Sequence, residues 1–117
     1  MKDKYFTTAM RAVNLLFMSL LKNEKSETVL IVMATHQSAE RCFAKILEIL
    51  RPCAEYLPLI VSKPTCTLRF GGKVVKVASV SNLYDTARGI ELQDYWLDEA
   101  AELTPEQFGL LQSRVRK

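Results

Sequence analysis

Asp98 and Glu99 are adjacent carboxylates at the end of a short apolar run, Tyr95-Trp96-Leu97. At the C-terminal edge of a buried strand, two such acids can carry out a defined piece of chemistry. The first can enter the shell of a magnesium ion, and the second can polarise a water for attack on a phosphoryl group. A plainer reading competes with this one: acids suit the start of a helix, where the backbone dipole favours negative charge. Asp94 and Glu102 flank the run. A magnesium nuclease built on Asp94, Asp98, Glu99 and Glu102 is the weaker variant, because only Asp98 and Glu99 clearly converge at a strand end.

Several elements must position that pair. Phe6, Ala9, Met10, Val13, Leu16, Phe17, Leu20 and Leu21 recur at three- and four-residue steps, so residues 5–22 read as a helix with one buried face. Thr28–Ala34 is a continuous apolar run rich in β-branched residues, the pattern of a central strand covered on both faces. Thr35-His36-Gln37-Ser38 reads as a polar turn into a helix over 38–50, with Ala39, Cys42, Phe43, Ile46, Leu47 and Leu50 on one face and Pro52 closing it. Leu59–Ser62 is a short strand flanked by prolines. Residues 65–70 and 73–81 alternate around Gly71-Gly72 and read as a hairpin. Residues 81–93 read as a loop that presents Arg88 beside Gly89. The last helix has a complete start: Thr104 as cap, Pro105 at the first helical position, Gln107 closing a capping box, and Leu103 with Phe108 spaced as a hydrophobic staple.

These pieces make one domain over 1–117, with a three-layer α/β architecture and a mostly parallel sheet. The 49% hydrophobic and 25% charged content is that of a globular protein. No apolar run approaches the ~20 residues that span a bilayer, and the N-terminus lacks a secretory pattern. No membrane partner is therefore expected. Cys42, Cys53 and Cys66 are an odd number without a CxxC pair, and His36 is the only histidine. Reduced thiols are expected, with Cys42 in the core.

With these pieces in place, the chain resembles the ATPase domain of phage terminase large subunits, the motors that package viral DNA. Val29–Ala39 resembles the family's second strand and its Thr-x-Gln turn. Ser79–Asn82 followed by Ala87-Arg88-Gly89 resembles the stretch before the Walker B strand, where an Arg-Gly pair recurs. Tyr95–Leu103 resembles the Walker B strand itself, and Thr104–Phe108 with Leu110–Arg116 resembles the helix after it. The likeness covers nearly the whole chain. The spacing from Arg88-Gly89 to Asp98-Glu99 is its most specific part.

The resemblance implies a truncated P-loop NTPase-like fold lacking its first and last core strands. It implies ATP and magnesium as cofactors, Asp98 as metal ligand, Glu99 as the residue that activates water, and Arg88 and Gln37 as nucleotide contacts. It implies terminase subunits, portal or DNA as partners, and the cytoplasm of a bacterial host as location. The chain departs from the family at the phosphate loop. No G-x-x-x-x-G-K-[ST] occurs, and Met1–Lys4 stands where that loop would precede Tyr5. If Tyr5 follows the aligned loop directly, Asp3 falls at the position of the phosphate lysine. The chain alone is therefore expected not to hydrolyse ATP. Two alternatives follow. One is a non-catalytic module that pairs exposed sheet edges into a homo-oligomer or binds intact terminase subunits. The other is a nucleic-acid binder using Lys73, Lys76, Arg88, Arg114, Arg116 and Lys117, which the net charge of +3 permits without demanding.

Overall fold

The computed structural model describes residues 4–22, 27–98 and 100–115. The helices and strands are α1 (Phe6–Lys22), β1 (Glu27–Met33), α2 (His36–Leu50), β2 (Leu59–Ser62), β3 (Thr67–Phe70), β4 (Lys73–Ser79), α3 (Leu83–Ala87), β5 (Asp94–Leu97) and α4 (Pro105–Arg114). Single 3₁₀ turns follow α2 and β4. The strands form one sheet in the order β2-β3-β4-β1-β5.

The sheet is mixed, which corrects the expectation of a mostly parallel one. β4, β1 and β5 run parallel, whereas β2, β3 and β4 are antiparallel neighbours. The cause is local. Gly71-Gly72 is too short for a parallel crossover and can join only antiparallel strands. Gly71 takes a positive φ of 59°, which glycine adopts without steric cost.

β1 sits between β4 and β5, and its side chains alternate between two apolar layers. Val29, Ile31 and Met33 pack with α1 and α2, joined by Val75, Val77 and Trp96. Leu30 and Val32 pack on the opposite face with Ala78, Leu83, Leu92 and Leu111, under α3 and α4. The three-layer expectation holds on this basis. Truncating a side chain such as Ile31, in either layer, to alanine removes about 2–5 kcal/mol.

Three local expectations change. The α1 stripe is rotated slightly, so Ala12 is buried while Phe6 and Phe17 are exposed. Residues 81–93 are not wholly loop, because Leu83 and Ala87 are both buried and hold the short helix α3 against the sheet. Phe108, expected in a staple, is 42% exposed. The capping box itself is present, with Thr104 Oγ1 accepting from Gln107 N at 3.2 Å and Thr104 N donating to Gln107 Oε1 at 2.9 Å.

β5 has β1 on one edge. On its other edge the chain returns after α4: Leu92 N donates to Arg114 O at 2.8 Å, and Leu92 and Val115 form an isolated parallel bridge. At the N-terminal edge of the three parallel strands, the Lys73 ammonium is buried at 1% exposure. It donates to Glu27 Oε2 and, at 2.8 Å, to Gln93 Oε1. One side chain of β4 thereby ties the start of β1 to the residue before β5.

This arrangement predicts an asymmetry. Glu27→Ala removes the carboxylate facing a buried ammonium and should cost about 3 kcal/mol. Lys73→Met removes the charge, keeps much of the volume, and should cost less than about 1.5 kcal/mol. Urea denaturation of the two variants measures the order.

Candidate functional site

Asp98 follows β5 directly and stays in register with its neighbour, its amide donating to Val32 O at 2.9 Å. Its carbonyl accepts from Ala101 N at 2.9 Å, and its Oδ2 accepts from Ala100 N at 3.3 Å. The acid therefore heads a tight turn. It does not start a helix, because α4 begins only at Pro105 with its own cap at Thr104. The helix-dipole explanation for this carboxylate is removed. Glu99 lies outside the described residues.

The location follows from connectivity. The chain leaving β1 crosses toward β4 over the α1–α2 layer. The chain leaving β5 turns under the opposite layer and returns beyond the far edge of the sheet. Adjacent parallel strands whose connections leave in opposite directions open a crevice at their carboxyl ends, the usual ligand position in α/β sheets. Asp98 stands at that point.

α2, whose Cys42 feels the charge of Asp98, opens on a capped turn. Thr35 caps the helix by accepting from Ser38 N at 3.0 Å, and its hydroxyl also donates to Ser38 Oγ at 2.8 Å. Tyr5, at the start of α1, reaches the same turn. A side-chain hydrogen bond with Ser38 is the main cause that lowers its phenol pKa; burial opposes it, and Lys4 and Arg41 add to the lowering. On the α1 side of β5, the Arg11 guanidinium lies 3.9 Å from the centre of the Trp96 ring. Asp94 accepts from Trp96 Nε1 at 3.2 Å and from Tyr95 N at 2.8 Å. Asp94 therefore serves the strand locally, whereas among the described residues the Asp98 carboxylate receives one long hydrogen bond.

The other expected contacts do not gather around Asp98. Gln37 is exposed and lines an open groove of about 850 Å³ between α2 and β2. Arg88 lines a separate crevice of about 410 Å³ beyond the end of β4. Asp98 is among the lining residues of neither. The proposed basic surface also loses a member, since Lys73 is buried and paired. Arg114 is half-buried, with its Nε enclosed and without a hydrogen-bond partner among the described residues. Arg116 and Lys117 lie outside the described residues.

Sequence reasoning missed Tyr5 beside Ser38, and it missed the grouping of His36, Lys76 and Arg88. The only early sign of that grouping was Lys76, a lysine inside an otherwise apolar strand. Among the described residues no set of three His, Cys, Asp or Glu side chains converges as a metal site. A divalent ion at Asp98 would draw its remaining ligands from water and phosphate, which is how magnesium is commonly held. No helix among the described residues is long and apolar enough to cross a membrane. Comparison with protein-family models, with curated proteins and with solved structures finds no match to this chain.

Cys42 lies behind the site on α2. Burial first, then the negative charge of Asp98 and the neighbouring Cys66, push its thiol from 9.0 up to about 12. The raised value stabilises the fold fully below pH 9, where the thiol is neutral in both states. That contribution is lost as pH rises from 9 toward 12, because the unfolded thiol ionises first. Cys42→Ala should therefore flatten the alkaline fall in stability by up to about 1.4 kcal/mol per pH unit. Denaturation curves at about pH 8 and about pH 10 check this. In the native protein, half-buried Cys53 should react with iodoacetamide well before Cys42.

Proposed function

We propose that this chain is a terminase-type ATPase domain fragment, related to ATP-driven viral DNA packaging and not competent for hydrolysis as a single chain. The observation that supports the reading best is the position of Asp98. It is a carboxylate at the end of a parallel strand, beside β1, with neither oxygen tied into an ion pair among the described residues. On this reading Asp98 would hold magnesium and Glu99 would orient the attacking water. The ion, when bound, would neutralise charge developing on phosphate oxygens.

The chain's own residues supply only part of such a site. Asp98 stands at a strand end and α2 opens on a capped turn that Tyr5 reaches through Ser38, but the sequence contains no glycine-rich phosphate loop. Preorganised backbone donors are what make a phosphate loop bind tightly. The expected result is no magnesium-dependent ATP turnover above background by the isolated chain, measured by phosphate release. Turnover that is lost in Asp98→Ala would overturn the proposed incompleteness.

A second reading has its own observation. The outer edge of β5 is engaged at Leu92, and the alternation that points the Asp98 amide at Val32 O of β1 turns the amides of Tyr95 and Leu97 outward, where Tyr95 N is taken up by Asp94 Oδ1. At the opposite end of the sheet, β2 presents Ile60 at 64% exposure. Such edges invite strand pairing. This favours an oligomerising or regulatory module that binds itself or intact terminase subunits. Light scattering should then find two or more chains per particle, with Ile60→Lys shifting the distribution toward monomer if β2 is the paired edge. A strictly monomeric, folded chain would count against this reading.

A further inference from the structure

The crevice beyond the end of β4 carries chemistry that the Asp98 site does not use. α2 leaves β1 on one face of the sheet and α3 leaves β4 on the other, so adjacent strand ends part there. β3 also leaves β4: their pairing ends at Thr67 and Lys76, extended only by Val77 N donating to Cys66 O at 3.0 Å. The last residues of β4 therefore border a gap of about 410 Å³, within the range of small-molecule sites.

Three basic side chains from three parts of the chain line this gap: Lys76 of β4, Arg88 after α3 and His36 at the start of α2. Lys76 and Arg88 form no ion pair among the described residues. His36 is 3.3 Å from Glu40. Ser79 also lines the gap, and the alternation that points the Val77 amide toward β3 turns the Ser79 amide the same way. Among the described residues the one carboxylate on the lining is Asp85, which is exposed. Cys66, also on the lining, holds a left-handed backbone with φ of 46°. A residue other than glycine in that region is strained, and such strain clusters at ligand sites.

We propose that this crevice binds a small molecule through a phosphate group. The guanidinium of Arg88 and the ammonium of Lys76 would hold the anion, and the Ser79 amide would donate from the strand end. A guanidinium fork and a point-charge ammonium together suit a phosphate better than either does alone. The volume leaves room for a body of nucleoside size. The site goes beyond the Asp98 reading and stands without it, since Asp98 does not line the crevice.

The test is a titration of the ¹⁵N-labelled chain with AMP and, separately, with inorganic phosphate, both without metal. Saturable shifts at Ser79, Asn82, Thr86 and Arg88 in the millimolar range or below are expected. Arg88→Gln and Lys76→Gln should each weaken binding about tenfold. Asp85→Asn should tighten it, and Asp98→Ala should leave it unchanged. All four positions are outside the buried core, and thermal melts confirm folding of each variant. Tighter binding of AMP than of phosphate would establish the nucleoside-sized body, and equal binding would reduce the site to its phosphate subsite. Shifts that fail to saturate, or that persist unchanged in Arg88→Gln and Lys76→Gln, would overturn the proposal. Loss of binding in Asp98→Ala would assign the phosphate to the β5 site instead.

Discussion

A strand that is hydrogen-bonded on both edges and apolar on both faces must lie in the middle of three layers, and β1 is that strand. Val29, Ile31 and Met33 require one helical layer and Leu30 and Val32 require another. Neither face can be left wet without exposing several large side chains, at roughly 1.5–3 kcal/mol each. The two edges of β1 are satisfied by β4 and β5 in parallel register. Parallel neighbours need crossovers, and these supply α2 and α3 as the covers that the faces demand. The buried ammonium of Lys73, bonded to Glu27 and Gln93, fastens the three strands at the end opposite the site.

The consequences collect at the other end of the sheet. Chains leaving β1, β4 and β5 diverge, so the carboxyl edge contains openings on both sides of β1. One side carries Asp98, whose negative charge acts on Cys42 of α2. The other holds Lys76 and Arg88 beyond β4. Opposite charge characters on the two sides follow from which residue each strand delivers as it ends. The antiparallel half of the sheet plays a different part. β2 and β3 extend the surface beside α2, and their departure from β4 before its end opens the cationic gap.

Much of this fold was legible because the patterns are local. A 3.6-residue stripe marked α2, a β-branched run marked β1, Gly71-Gly72 marked the hairpin, and Thr104 with Gln107 marked the start of α4. The misses are long-range. Lys73 follows a turn and looks solvent-exposed, yet its partner Glu27 lies 46 positions earlier in the chain. Helix α3 is only five residues long and is held by burial of Leu83 and Ala87, so it leaves almost no periodic signal. The position of Asp98 was legible from the apolar run before it. The separation of Arg88 and Gln37 into different openings was not, because strand order decides it and spacing along the chain does not encode strand order.

The central claim is that Asp98 presents a carboxylate to a divalent ion at the carboxyl edge between β1 and β5. Manganese is a paramagnetic substitute for magnesium, and its broadening of amide resonances in the ¹⁵N-labelled chain reads the ion's position directly. Selective loss of signal at Asp98, Ala100 and the last residues of β1, abolished in folded Asp98→Ala, is the predicted result. Broadening centred elsewhere, or unchanged in Asp98→Ala, would contradict the account.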